Sequence, residues 1–163
     1  MPKHTIWIGA AVGVLACAAI AWAQEKTKQA TVYQTIGGQA VFELLASEGY
    51  KPTLGKDSDG DPKITFKLQS KTIGVFFYDC KKTQFCGSLS VSTGWDLKTP
   101  LNADKLMAYN YDTRYVRASV DTEKDPYLES DYDLDGGVTK ESVLAWIQMY
   151  ADQLADFRST FKL

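Results

Sequence analysis

Residues 72–93 read TIGVFFYDCKKTQFCGSLSVST. Two runs rich in β-branched and aromatic residues flank a polar loop, and one cysteine stands on each side of it. Such runs suit strands, because branched and ring side chains pack well on a pleated surface. If Cys80 and Cys86 lie opposite each other in an antiparallel pair, partner numbers sum to 166. Phe77 then faces Leu89, Val75 faces Val91 and Ile73 faces Thr93, making one largely apolar face. The other face pairs Tyr78 with Ser88 and Phe76 with Ser90, and carries the cysteines at its end. A slip of one residue would exchange the two faces. Opposed positions suit a disulfide, and the bond closes a ring of seven residues. Loop-closure entropy gives such a ring about 2–2.5 kcal/mol.

The compartment is read from the other end of the chain. Lys3 and His4 form a short basic lead, and residues 6–23 are an apolar, alanine-rich run without a charge. Ala21-Trp22-Ala23 then presents small residues where a signal peptidase cuts, and polar Gln24 follows. This is the layout of a secretory signal peptide over 1–23, with export to the periplasm or beyond. An uncleaved membrane anchor is the alternative, since the run is barely long enough to span a bilayer. Cys17 raises lipoprotein processing as a third, but more apolar sequence follows it rather than a polar tether.

Cleavage after Ala23 leaves 163 − 23 = 140 residues, enough for one domain with a real core. It removes the only histidine, His4, and one of three cysteines, Cys17. The remaining pair reads as a disulfide in an exported chain. Ser-His and Cys-His nucleophilic catalysis then lack their base, and the usual zinc and copper ligand sets are missing. The mature charge becomes 17 − 20 = −3. Mild acidity with mixed signs argues against nucleic-acid and anionic-membrane partners, which select clustered Lys and Arg.

Outward from the hairpin, the chain alternates helical and extended patterns. Residues 24–32 read as a polar tether, with Thr31-Val32-Tyr33 free to make a short extended contact. Val41, Leu44 and Leu45 stripe a helix over 38–48, closed by Gly49 at a left-handed cap with Tyr50 folding back. Residues 51–56 suit a strand, and Asp57–Pro62 a hairpin turn. Lys63–Gln69 alternates, with Ile64, Phe66 and Leu68 inward. Asn102 is the N-cap of a second helix, helped by Asp104. Arg114–Asp121 alternates again. Leu128, Tyr132 and Leu134 share a face opposite Glu129, Asp131 and Asp133, with Arg117 across from that acidic row. Thr139 caps a last helix over 140–161, whose Val143, Ile147, Tyr150, Leu154, Phe157 and Phe161 form an apolar seam. That seam packs on the sheet or, alternatively, joins two copies.

Two acidic turns invite calcium. Asp57, Asp59 and Asp61 lack a distal glutamate. Asp131, Asp133 and Asp135 open like an EF-hand loop, but its twelfth position is Ser142 and no helix enters it. The primary reading assigns no metal and no cofactor, with Asp131, Asp133 and Asp135 as the alternative metal set. The same acids are the candidates for a carboxylate-dependent hydrolase. Turns and exposed strand faces lack the burial that raises a general acid's pKa, so the chain reads as a non-enzyme.

Gly49-Tyr50, Asp59-Gly60-Asp61-Pro62, Phe77-Tyr78-Asp79-Cys80, Cys86, Asn110, Arg114, Asp121 and Gly136-Gly137-Val138-Thr139, in this order, resemble the YbjN-domain family of bacterial proteins. The likeness spans residues 33–161. The chain itself reads as one α+β domain over 33–163, an antiparallel sheet packed by helices in the order α-β-β-β-β-α-β-β-α, and the likeness implies that this fold resembles type III secretion chaperones. The likeness implies sensory or regulatory roles rather than a reaction. One departure is visible: the family tends to carry Asn-x-Trp-Asn on the second helix, where this chain has Met107-Ala108-Tyr109-Asn110.

The functional expectation is a binding or chaperone-like module for a protein or peptide, a second copy of itself included. Phe76 and Tyr78 make the central strand apolar on its second face as well, beside the serines Ser88 and Ser90. Tyr109, Asn110 and Arg114 complete the set of candidate partner contacts.

Overall fold

Helix α1 covers Gly38–Ser47 and buries Val41, Leu44 and Leu45 on one stripe. It stops in a Schellman cap: Gly49 sits at φ +85°, its N–H donates to the carbonyl of Ala46, and that of Tyr50 donates to Leu45. The computed structural model describes residues 30–82 and 85–163. The expected signal peptide at 1–23, and residues 24–29 of the expected tether, lie outside the described residues.

The strands follow as β1 (Thr53–Lys56), β2 (Pro62–Leu68), β3 (Lys71–Tyr78) and β4 (Ser88–Gly94), then α2 (Ala103–Asp112), β5 (Arg117–Val120), β6 (Pro126–Asp133) and α3 (Lys140–Phe161). This is the α+β order expected. All neighbours pair antiparallel in one six-stranded sheet, β1-β2-β3-β4-β6-β5. The β1–β2 turn is tied by Asp57, whose Oδ1 accepts from the N–H groups of Asp59 and Asp61 at 3.0 and 2.9 Å. The β2–β3 turn puts Gln69 and Ser70 at φ 50° and 68°, the pair of positive values that a tight hairpin needs. Neither is glycine, and α3 holds the strained turn: Gln69 Nε2 donates to the Ala151 carbonyl and Arg158 Nη1 to the Gln69 carbonyl.

The β3–β4 register is the one derived from the cysteines. Val75 faces Val91, Phe76 faces Ser90, Phe77 faces Leu89 and Tyr78 faces Ser88, and Cys80 and Cys86 are disulfide-bonded. The alternation of faces does not continue to the cysteines. Asp79 adopts φ 53°, which re-aims the chain beyond the strand. Cys86 then exchanges two backbone hydrogen bonds with Ile36 and is fully buried in the core. The expectation that the disulfide shares the face of Phe76 and Tyr78 is therefore corrected.

All three helices serve one face of the sheet. The seam of α3 is buried at Val143, Ile147, Tyr150, Leu154 and Phe157, against Ile73, Val75, Phe77, Leu89, Val91 and Leu128 in the same core. Trp146 Nε1 donates to Ser130 Oγ at 2.9 Å and Tyr150 Oη to the Leu128 carbonyl at 2.8 Å. A seam buried against the sheet cannot join two copies, which removes the dimer alternative for α3. Its start is a capping box: Thr139 Oγ1 accepts from Ser142 N, and Ser142 Oγ from Thr139 N. Asn102 caps α2 by accepting from Lys105 N at 3.0 Å. The N-terminal segment closes one end, with Tyr33 bridged to Val138 by paired backbone hydrogen bonds.

Two stability measurements test this packing. Reduction of the Cys80–Cys86 bond lowers the unfolding free energy by about 2–2.5 kcal/mol, read as a shift of the urea midpoint at unchanged slope. Alkali acts through Tyr109, whose hydroxyl is pushed up to about 12 by burial first and by Asp156 second. The folded chain holds that proton more tightly than the unfolded chain, whose tyrosines ionise near about 10. The contribution of this tyrosine to stability is thus complete below about pH 10 and is lost as the pH rises from about 10 toward 12. Tyr109→Phe makes that part of a urea-midpoint profile shallower, and the more deeply buried Tyr150 keeps the remaining slope.

Candidate functional site

Strand alternation sends every second residue to the face that no described helix covers. The strand registers order this outer face into rows. One row runs Lys63, Phe76, Ser90, Asp131 across β2, β3, β4 and β6. The next runs Thr65, Gly74, Ser92, Glu129 and reaches Arg117 on β5. Tyr78, Ser88 and Asp133 form a row on the other side. Gly94 opposite Tyr127 belongs to the far end, near Lys67 and Thr72.

Glycine keeps two of these positions clear. The Phe76 ring lies so close over Gly74 that a Cβ there would meet its Cε2 at 2.7 Å, and a Cβ on Gly94 would meet Tyr127 Cε1 at 2.6 Å. Both rings therefore lie down on backbone. The middle of the face is low, floored by Gly74, Gly94 and the serines of β4. Phe76 is half-buried under Lys63, whose Nζ sits 4.7 Å from the ring centre. Tyr78 stands up and is 50 % exposed. Burial raises the pKa of its hydroxyl, with Asp131, Glu129 and Asp57 adding to the rise.

Charge divides across the face. On the β2 side stand Lys63 and Lys67, the latter donating to Thr72 Oγ1. On the β6 side stand Glu129, Asp131 and Asp133. Arg117 holds Glu129 at 2.9 Å and reaches to 3.8 Å from Asp131, and the Glu129 hydrogen bond raises the guanidinium's pKa. A shallow depression of about 440 Å³ lies over Lys63, Lys67, Gly74, Phe76 and Tyr127. Another, of about 580 Å³, lies over Tyr78, Ser88, Asp131 and Asp133. A larger concavity, about 770 Å³, is elsewhere, at the open β1 edge under the start of α1 between Leu54, Pro62 and Phe85. Lys56 brings a positive charge to its lining.

Of the residues expected to contact a partner, the structure brings together Phe76, Tyr78, Ser88 and Ser90. Ser90 is 5 % exposed, a floor rather than a contact. The other three lie away from them. Tyr109 is a core residue, 6 % exposed, edge-on to Phe157 and Phe161. Asn110 pairs with an edge strand as backbone would: Nδ2 donates to the Ala118 carbonyl at 2.9 Å, and Oδ1 accepts from Ala118 N at 2.8 Å. Arg114 is exposed and lies over the ring of Tyr115. The sequence expectation missed the bracing function of Asn110 and the outward charge pattern. The second was readable once the register was carried across all six strands.

Asp131, Asp133 and Asp135 do not converge. Asp133 Oδ1 already accepts from Asp135 N, Asp131 lies toward Arg117, and no group of three metal-binding side chains is found among the described residues. The buried hydroxyl-bearing side chains among them are Ser90, Thr93, Ser130, Tyr109 and Tyr150, none a proton-transfer group near neutral pH. No described helix is long and apolar enough to cross a membrane.

A helix-backed sheet with one open, polar-and-aromatic face defines a small α+β domain. A family model described as "Putative bacterial sensory transduction regulator", named YbjN, matches residues 38–163. The chain belongs to the YbjN family, which is described by a regulatory role rather than a reaction. No curated protein matches the chain.

Asn110→Ala separates bracing from binding. Loss of both Ala118 hydrogen bonds lowers stability by about 1–2 kcal/mol in urea unfolding and speeds amide exchange at Ala118.

Proposed function

We propose that this chain is a non-enzymatic, exported regulatory module that binds a protein partner on the outer face of its sheet. The observation that carries the reading is the outer face itself. It is six strands wide and free of helices among the described residues, and Tyr78 stands half exposed between the serine strand and two fields of opposite charge. A sheet face meant only for water carries alternating polar residues. This one carries three aromatic rings, Phe76, Tyr78 and Tyr127, which suit an interface where ring area is buried at little entropic cost. Phosphate-rich partners are disfavoured by the acidic β6 field. The family's regulatory description supports the reading.

Export is supported by the apolar 6–23 run ending at Ala21-Trp22-Ala23 and by the Cys80–Cys86 bond, since disulfides persist in oxidising compartments. The processed chain would work in the periplasm or outside the cell.

The test is photo-crosslinking in living cells from a photoreactive residue at position 78. A discrete protein adduct is expected, lost when Phe76→Ser is added and absent from a control probe at Met107 on α2. Equal labelling from both positions, or none from position 78, would sink the reading.

A further inference from the structure

The rows of the outer face carry a symmetry that names a partner. The sheet's midline runs between β3 and β4, with β2 and β6 each one strand further out on opposite sides. Lys63 and Asp131 occupy the same row and stand equally far from the midline. Three strand spacings separate them, about 14 Å, too far to pair within one chain. Two copies related by a two-fold axis parallel to the strands, lying over that midline, would exchange left and right while keeping each row at its own height. Lys63 of one copy then faces Asp131 of the other, twice. The other rows obey the same rule. Thr65 meets Glu129, and Lys67 meets the ring of Tyr127. Near the axis the aromatic β3 residues face smaller β4 residues of the second copy: Tyr78 over Ser88, Phe76 over Ser90. Asp133 meets no lysine: extending the β2–β3 register by one step puts Asp61 in its row, so that end of the face brings two carboxylates together and the match is carried by the Lys63–Asp131 row.

We infer that the outer face is the interface of a two-fold homodimer, packed sheet on sheet and keyed by reciprocal Lys63–Asp131 pairs. This rests on the reading of that face as a binding surface, and it names the partner as a second copy of this chain. Stacked sheets lie about 10 Å apart, a gap that a lysine and an aspartate together span. The floor of glycine and serine lets the aromatic rings of the second copy enter. Bulk on β3 against small residues on β4 is self-complementary, as an isologous interface requires. Lys63 and Asp131 supply register and selectivity rather than bulk affinity.

The experiment is sedimentation velocity on the purified processed protein, beginning at Gln24, over a concentration series, with Lys63→Glu and Asp131→Lys. The wild type is expected to dimerise. Each single exchange puts like charges together and raises the dimer dissociation constant roughly tenfold or more. Mixing the two variants one to one restores a dimer. In the mixed pair the two introduced charges meet each other with opposite sign, and the native Lys63 and Asp131 make the second contact. The double variant Lys63→Glu with Asp131→Lys also recovers. Far-UV circular dichroism and urea unfolding confirm that each variant is folded. Should one fail to fold, the salt response of the wild type decides: a keyed dimer weakens from about 0.1 to 1 M salt, as the Debye length falls from about 10 to 3 Å. A dimer indifferent to both exchanges, to mixing and to salt overturns the inference, because its interface lies elsewhere. A wild-type monomer at every concentration also overturns it. If position 78 still crosslinks to a different protein in cells, the binding reading stands without the homodimer; if it crosslinks to nothing, both fall.

Discussion

The hydroxyl of Tyr150 donates to the carbonyl of Leu128 across 2.8 Å, inside a core from which solvent is excluded. Burial raises the pKa of that hydroxyl far above its ordinary value, so the proton stays and the donor is permanent. With Trp146 bonded to Ser130 a turn earlier, it fixes α3 against β6. The other end of α3 is tied to the β2–β3 turn through Ala151 and Arg158. One long helix thus spans the sheet from β6 to β2 on a single side. Its apolar seam meets the inward residues of the strands, and no other described helix serves the second side. The open outer face is a consequence of where this helix is pinned.

Much of this was legible in the residues. The cysteine spacing implied a register that the strands keep from Gly74 to Ser92, because alternation with period two leaves only one frame that buries Val75, Phe77, Leu89 and Val91 together. Caps at Asn102 and Thr139 were legible because short polar side chains have a local task there. The fate of the cysteines was not. Alternation extrapolates a straight strand, and Asp79 at positive φ ends that straightness, which carries Cys86 into the core beside Ile36. Tyr109 was misjudged for a related reason. A helix of mixed polarity shows which residues could be inside, but only the placement of Phe157 and Phe161 decides that Tyr109 is.

Asn110 illustrates what a sequence motif can conceal. A polar residue shared with a family invites a binding role. Here its amide supplies both a donor and an acceptor to Ala118, satisfying a stretch of edge strand that otherwise pairs on one side only. Exposed edges template association with other strands, and a side chain that mimics a neighbouring strand blocks that route. Of the two sheet edges, the β5 edge is thereby the less available for strand pairing, while the β1 edge stays open.

The electrostatics of the outer face set what it would complement. Within one chain, Arg117 serves Glu129 and approaches Asp131, and such exposed pairs contribute little to stability. Lys63 instead lies on the Phe76 ring, about 14 Å from the acid in its own row. Opposite charges held apart on a rigid sheet, at equal distances from its midline, do little for the fold that holds them. They would find complements on any face that presents the reversed pattern, and a two-fold copy is one such face. A heterologous partner would need to reproduce that reversed spacing independently, whereas a second copy supplies it by symmetry.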